Sequence, residues 1–178
     1  MTDPLPARPT PILVMGVCGT GKTTVAQRVA QGMGGYFLDA DDFHPRENVE
    51  RMAAGQPLND EMRHDWLEHV AAGVIRAQAE CEGPVTLACS ALKRRYRDRL
   101  RHGIGALHLA YLRGNRALIA ERMSGRIDHY MPIELLDSQL ADLEPPGPEE
   151  TPLICDIVQP PEVLAAQIQA AWGSTPQD

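Results

Sequence analysis

Apolar and polar positions along the chain fall into short solid runs and longer periodic stretches, and this rhythm predicts strands and helices in alternation. "PILVM" (residues 11–15) reads as a buried strand, followed by a helix from Lys22 to about Met33. "GYFLDAD" predicts a second strand, and "PRENVERMAAG" a short helix closed by Gly55. In "LNDEMRHDWLEHVAAGVIRAQAE", Asn59 is the expected N-cap and Asp60 and Glu61 fill the first turn. Met62, Trp66, Val70 and Val74 then mark one buried helix face. "PVTLACS" is a third strand, "ALKRRYRDRLRHG" a basic helix ending at Gly103, "ALHLAYLRG" a fourth strand and "NRALIAERM" a helix. "SGRIDHYMP" lacks a period and reads as a loop. "IELLDSQLADLE" is a helix stopped by "PPGP", and "PLICDIVQ" a fifth strand. "PPEVLAAQIQAAWG" is a last helix, with proline at its start and Gly173 at its end.

Strands alternating with helices predict an α/β fold, a five-stranded parallel sheet with helices on both faces. The 178 residues fit one domain, with residues 1–10 and 174–178 expected as flexible ends. A net charge of −7 argues against a broad binding surface for nucleic acid or an acidic membrane, despite the basic stretch from Lys93 to Arg101. Cys18, Cys81, Cys89 and Cys155 are scattered without metal-ligand spacing, which suggests reduced thiols in the cytoplasm. The opening "MTDPLPARPT" is polar and proline-rich, and the apolar run after it is too short for a secretion signal or a membrane span.

Between the first strand and its helix lies "GVCGTGKT", residues 16–23, matching G-x-x-x-x-G-K-[ST] in the required strand–loop–helix context. Gly16, Gly19 and Gly21 allow the backbone to curl so that amides converge on a polyphosphate at the helix N-terminus. Lys22 supplies a cation for the β- and γ-phosphates, and Thr23 a hydroxyl for Mg²⁺. A nucleoside triphosphate with magnesium is therefore the expected ligand.

The second strand ends in "LDADD", which alternation reads as Asp39 and Asp41 on one side, near the phosphates if that strand lies beside the first. One carboxylate can order the water shell of magnesium and another can take the proton of an attacking hydroxyl. The third strand ends "LACS" without a carboxylate, leaving Asp39 as the best helper for the metal, with Asp41 able to share the role. No N-K-x-D guanine-selecting box is present, so a regulatory GTPase is unsupported. Ser90 reads as a helix N-cap, and Lys93 and Arg97, one turn apart, as ligands for an anionic acceptor. His44 and Arg51 are further candidates, whereas Arg94, Arg95, Arg99 and Arg101 read as solvated surface. Arg122, Arg126 and His129 surround the late loop, where closure excludes water and cations meet migrating charge.

Together "GVCGTGKTT", "DADDFHP.EN..RM..G.PLND..R..WL", "ACSALK..YRD.LR" and "SQL..LEPP" resemble gluconate kinases, small-molecule P-loop kinases related to shikimate and adenylate kinases. The resemblance runs from about Ile12 to Trp172. It implies a P-loop NTPase fold with a mobile lid at about 124–136 and commonly a homodimer. It also implies ATP- and Mg²⁺-dependent phosphorylation of D-gluconate to 6-phosphogluconate. On it, Gly16, Val17, Cys18, Gly19, Thr20, Gly21, Lys22, Thr23 and Thr24 bind ATP, with Arg122 and Arg126 in the lid region and Gln159 and Pro160 beside adenine. By the shikimate kinase analogy Asp41 is the base and Asp39 belongs to the magnesium shell. His44, Arg51, Ser90, Lys93 and Arg97 then face the sugar acid. The lid stretch departs from the family in carrying Asp128 and fewer cations. Two alternatives stay open: a kinase of another small hydroxy acid, such as shikimate, and an ATP-binding switch without acceptor chemistry.

Overall fold

The computed structural model describes residues 8–54, 56, 58–125 and 133–173. Its strands are β1 (Ile12–Met15), β2 (Tyr36–Asp39), β3 (Val85–Ala88), β4 (His108–Arg113) and β5 (Leu153–Asp156). The helices described are α1 (Lys22–Gly32), α2 (Arg46–Ala53), α3 (Asp60–Glu80), α4 (Arg94–Ile104), α5 (Arg116–Ser124), α6 (Ile133–Asp142) and α7 (Pro161–Trp172). Gly55, Arg126, Asp128, His129, most of the expected lid and tail 174–178 lie outside the described residues, as do the first seven residues.

All strand pairings are parallel, in the order β2-β3-β1-β4-β5, as the alternating pattern requires. β1 is central and wholly buried, so both of its faces must be apolar. Period-two alternation then divides the core. Ile12 and Val14 pack with Val25 and Val29 of α1 and Leu164 and Ile168 of α7. Leu13 and Met15 pack with Leu67, Val70 and Val74 of α3 and Leu100 of α4. The Asn59 side chain accepts the Met62 N–H at 2.8 Å, the expected cap of α3. No described helix is long and apolar enough to cross a membrane.

Two local expectations are corrected. β2 does not lie beside β1, because β3 runs between them. It also ends at Asp39, and residues Ala40–Phe43 turn into a 3₁₀ helix capped by that aspartate, so strand alternation does not reach Asp41. Ser90 is not a helix cap either. Ala91 takes a positive φ of 40°, breaking the chain direction after β3, and α4 begins only at Arg94 with Lys93 at its N-cap.

Candidate active site

Because every strand runs the same way, all five C-terminal ends open on one edge, the edge where such sheets bind ligands. The glycine loop leaves β1 there. Gly21, the residue before α1, has φ +89°, and Gly19 has φ +79° with Met123 so close that a Cβ would lie 2.7 Å from its Cγ. Neither position tolerates a larger residue without strain. No side chain caps the first turn of α1, and no acid sits in it, so its amide N–H groups and positive dipole end face the cleft. Thr20 donates to the Val17 carbonyl at 2.8 Å and stiffens the loop from inside. Lys22 Nζ also donates to that carbonyl, at 3.0 Å. Burial pushes its pKa down, and the charge of Asp41 works foremost against that fall.

Although β2 is an edge strand, α1 packs over both β3 and β2, which carries its first turn across the small residues ending β3. Thr23 Oγ1 consequently donates to Asp39 Oδ2 at 3.0 Å. The second Asp39 oxygen accepts the Asp41 N–H at 3.1 Å. This oxygen-only pair suits a hard divalent cation.

Asp41 stands open to the cleft, its side chain 85% exposed. The surrounding protein mass, with Asp39 nearby, raises its carboxyl pKa above the usual 3.8, while His44 and Lys22 pull the other way. His44 Nε2 lies 3.8 Å from Asp41 Oδ1. Its ring stacks on Trp66 at 4.3 Å, and Trp66 Nε1 donates to the Ala40 carbonyl at 2.7 Å, tying the ring pair to the aspartate turn. Burial lowers the His44 pKa, Asp41 opposes this and Arg63 adds to it.

Ser90 and Lys93 lie in the turn after β3, and Lys93 Nζ pairs with Asp142 Oδ1 at 3.1 Å. Arg51 is exposed on α2, and Thr24 on α1. On the other side of the loop, Arg122 of α5 donates to the carbonyl of Ile157, in the stretch of chain that leads on to Gln159 and the α7 N-cap Pro160.

Arg97 is the exception. Its side chain is 1% exposed, and its guanidinium holds Glu150 through two bonds of 2.8 and 2.7 Å and the carbonyls of Ala91 and Leu92 at 3.0 Å each. With these donors committed, Arg97 braces the turn rather than facing the cleft, which corrects its assignment to the acceptor. Burial alone would push the Glu150 carboxyl up, but the hydrogen bonds and charges of Arg97 and Arg101 outweigh it and hold the pKa at about 2. Against the ordinary 4.5, this shift contributes about 3 kcal/mol of stability, present above pH 4.5 and lost as pH falls through 2. Arg97→Ala leaves that carboxylate buried with half its partners gone. Thermal or urea unfolding should show a loss of about 3–5 kcal/mol.

The family pattern described as an AAA domain matches residues 12–146. The thermoresistant gluconokinase of Escherichia coli is 41% identical over 159 residues, spanning 88% of this chain and 90% of that protein. The chain belongs to the gluconokinase family. Two solved structures agree with this. A sugar kinase from Janibacter sp. superposes with a TM-score of 0.82 at 44% identity, covering 92% of this chain and 94% of that one. A gluconokinase from Sinorhizobium meliloti gives 0.79 at 40% identity, covering 93% of each.

Within this gluconokinase-family site, sequence reasoning overlooked the residues that hold others in place. Trp66 was read only as core, yet it is the platform for His44. Glu150 carried no signal, because its partner lies 53 residues away. Asp142 and Gln139 sit in the stretch "DSQLAD", where helical periodicity gives no hint that their side chains reach the cleft loops.

Proposed function

We propose that this chain transfers the γ-phosphoryl group of ATP to the terminal hydroxyl of D-gluconate, giving 6-phosphogluconate and ADP, with Mg²⁺. The observation that carries the reading is kinship over nearly the whole chain with proteins named gluconokinase. The cleft supports it. The glycine loop from Gly16 to Thr24 holds the phosphates through the amides it turns to the cleft, and Lys22 exchanges the Val17 carbonyl for phosphate oxygen. Thr23 would hold the magnesium ion directly and Asp39 through its water shell, and the ion when bound would supply positive charge against the β- and γ-phosphates. Asp41 accepts the hydroxyl proton at a carboxylate oxygen, with His44 beside it. His44, Arg51, Ser90 and Lys93 pair with the hydroxyls and carboxylate of the sugar acid. Arg122, Gln159 and Pro160 flank the adenine, and Arg126 supplies a cation from the lid.

The reading extends to one kinase domain working as a cytoplasmic homodimer. Four free thiols suit a reducing compartment, and exposed Ile154 and Val158 offer apolar surface for a partner copy. A coupled ADP-release assay over a panel of sugar acids tests the function. Release should require gluconate and fail with shikimate or AMP. Equal release without any acceptor would refute the proposal.

A further inference from the structure

One short stretch of chain, from Gln139 on α6 to Glu144 just beyond it, touches both sides of the cleft. At one end the Gln139 carboxamide oxygen accepts the Cys18 N–H of the glycine loop at 2.6 Å, a contact spanning 121 residues. At the other end Asp142 pairs with Lys93 at 3.1 Å. Glu144 clamps the same turn twice: its N–H donates to the Leu92 carbonyl at 2.9 Å, and its Oε2 accepts the Arg94 N–H at 2.6 Å. Pro145 and Pro146 follow directly and restrict the backbone beyond the clamp.

The Cys18 amide belongs to the limb of the glycine loop turned towards α5, where the Cys18 thiol meets Met123 Sδ at 3.9 Å. It lies four residues before Lys22, so the uncapped amides of the first α1 turn take no part in the contact. Gln139 therefore grips the loop from behind and leaves the phosphate-facing amides open. The 91–94 turn that Asp142 and Glu144 hold is the same turn that carries Lys93 into the acceptor side.

We propose that Gln139 is a positioning residue for phosphoryl transfer, the donor-side anchor of a strap, residues 139–144, that fixes the glycine loop at a set distance from the acceptor turn. The inference rests on the assignment of Lys93 to the acceptor. In-line transfer is sensitive to that distance, since misplacing reactants by about 1 Å can cost roughly 10²-fold in rate. A small side chain at 139 frees the loop limb without touching any group that contacts phosphate.

The test uses the full chain. Gln139→Ala should lower kcat for gluconate by on the order of 10- to 100-fold. The dissociation constant of a non-hydrolysable ATP analogue should stay within about threefold, because the phosphate contacts are intact. ADP release to water without gluconate should be unchanged, so the ratio of hydrolysis to transfer rises, which a purely structural role would not produce. Gln139→Glu keeps an acceptor oxygen for the Cys18 N–H and should recover most of kcat. Unchanged kcat in Gln139→Ala overturns the proposal. So does tighter nucleotide binding at unchanged kcat, which would make the glutamine a plug in the loop. A Gln139→Glu variant as slow as Gln139→Ala, with an equal fall in Tm, also overturns it and leaves α6 packing as the explanation. Lys93→Ala separates the two readings: an unmoved KM for gluconate removes Lys93 from the acceptor, while the donor-side comparison at Gln139 still stands on its own readout.

Discussion

Lys22→Met lowers phosphoryl transfer by on the order of 10²- to 10³-fold, the usual loss when a preorganised donor to transition-state charge is removed. Methionine keeps most of the side-chain volume and removes only the cation. In the free enzyme that cation is spent on the Val17 carbonyl and sits where burial depresses its pKa. The folded state therefore gains nothing from charging it. A folded pKa below the ordinary 10.5 means that the unfolded chain binds this proton more readily, so wild-type stability rises as pH climbs towards 10.5. Lys22→Met should lose that rise and unfold no more easily than wild type at pH 7. Activity and stability then part company, as expected of a group retained for chemistry. Steady-state kinetics beside thermal melts at two pH values would check both halves, and near-normal turnover would remove Lys22 from the transition state.

Asp41→Asn should lower turnover by about 10²- to 10⁴-fold, the range contributed by a positioned general base. The change keeps the backbone N–H that donates to Asp39, and the Thr23–Asp39 contact is untouched, so nucleotide binding should persist. The same residue sets a pH limb. A base must be ionised to accept a proton, and the Asp41 pKa is raised above 3.8, so activity falls on acidification at a pH above that value. The limb should vanish in Asp41→Asn. A surviving limb, or turnover close to wild type, would move the base to another group.

What the sequence disclosed and what it hid follow from the range of the interactions involved. The glycine loop was legible because its work is done by eight consecutive residues whose types dictate a backbone path. The α3 cap and its apolar face were legible for the same local reason. Strand order was not, since a strand that pairs on both edges looks the same whichever neighbour it takes. The reach of Asp39 to the phosphates was therefore conditional on β2 lying beside β1; that condition fails, and Asp39 meets Thr23 by a different route, with α1 crossing over β3. Arg97 was misread because one residue, Ala91, turns the chain into a left-handed conformation and delays α4, which no propensity of alanine foretells. Gln139 was visible as part of "SQL..LEPP" but had no function, because the contact that gives it one lies at the far end of the chain.

The buried Arg97–Glu150 pair also bears on how the protein is made. When Arg97 is added to the growing chain, the carboxylate that neutralises it still lies 53 residues ahead in the sequence. Until then the guanidinium keeps its water, and desolvating it without a counter-charge is too costly for α4 to settle on the sheet. The nascent chain thus carries an internal timer: α4 can lock down only as the last strand emerges. Stalled chains that end before Glu150 should be cut readily by protease within α4, whereas chains released with β5 complete should resist.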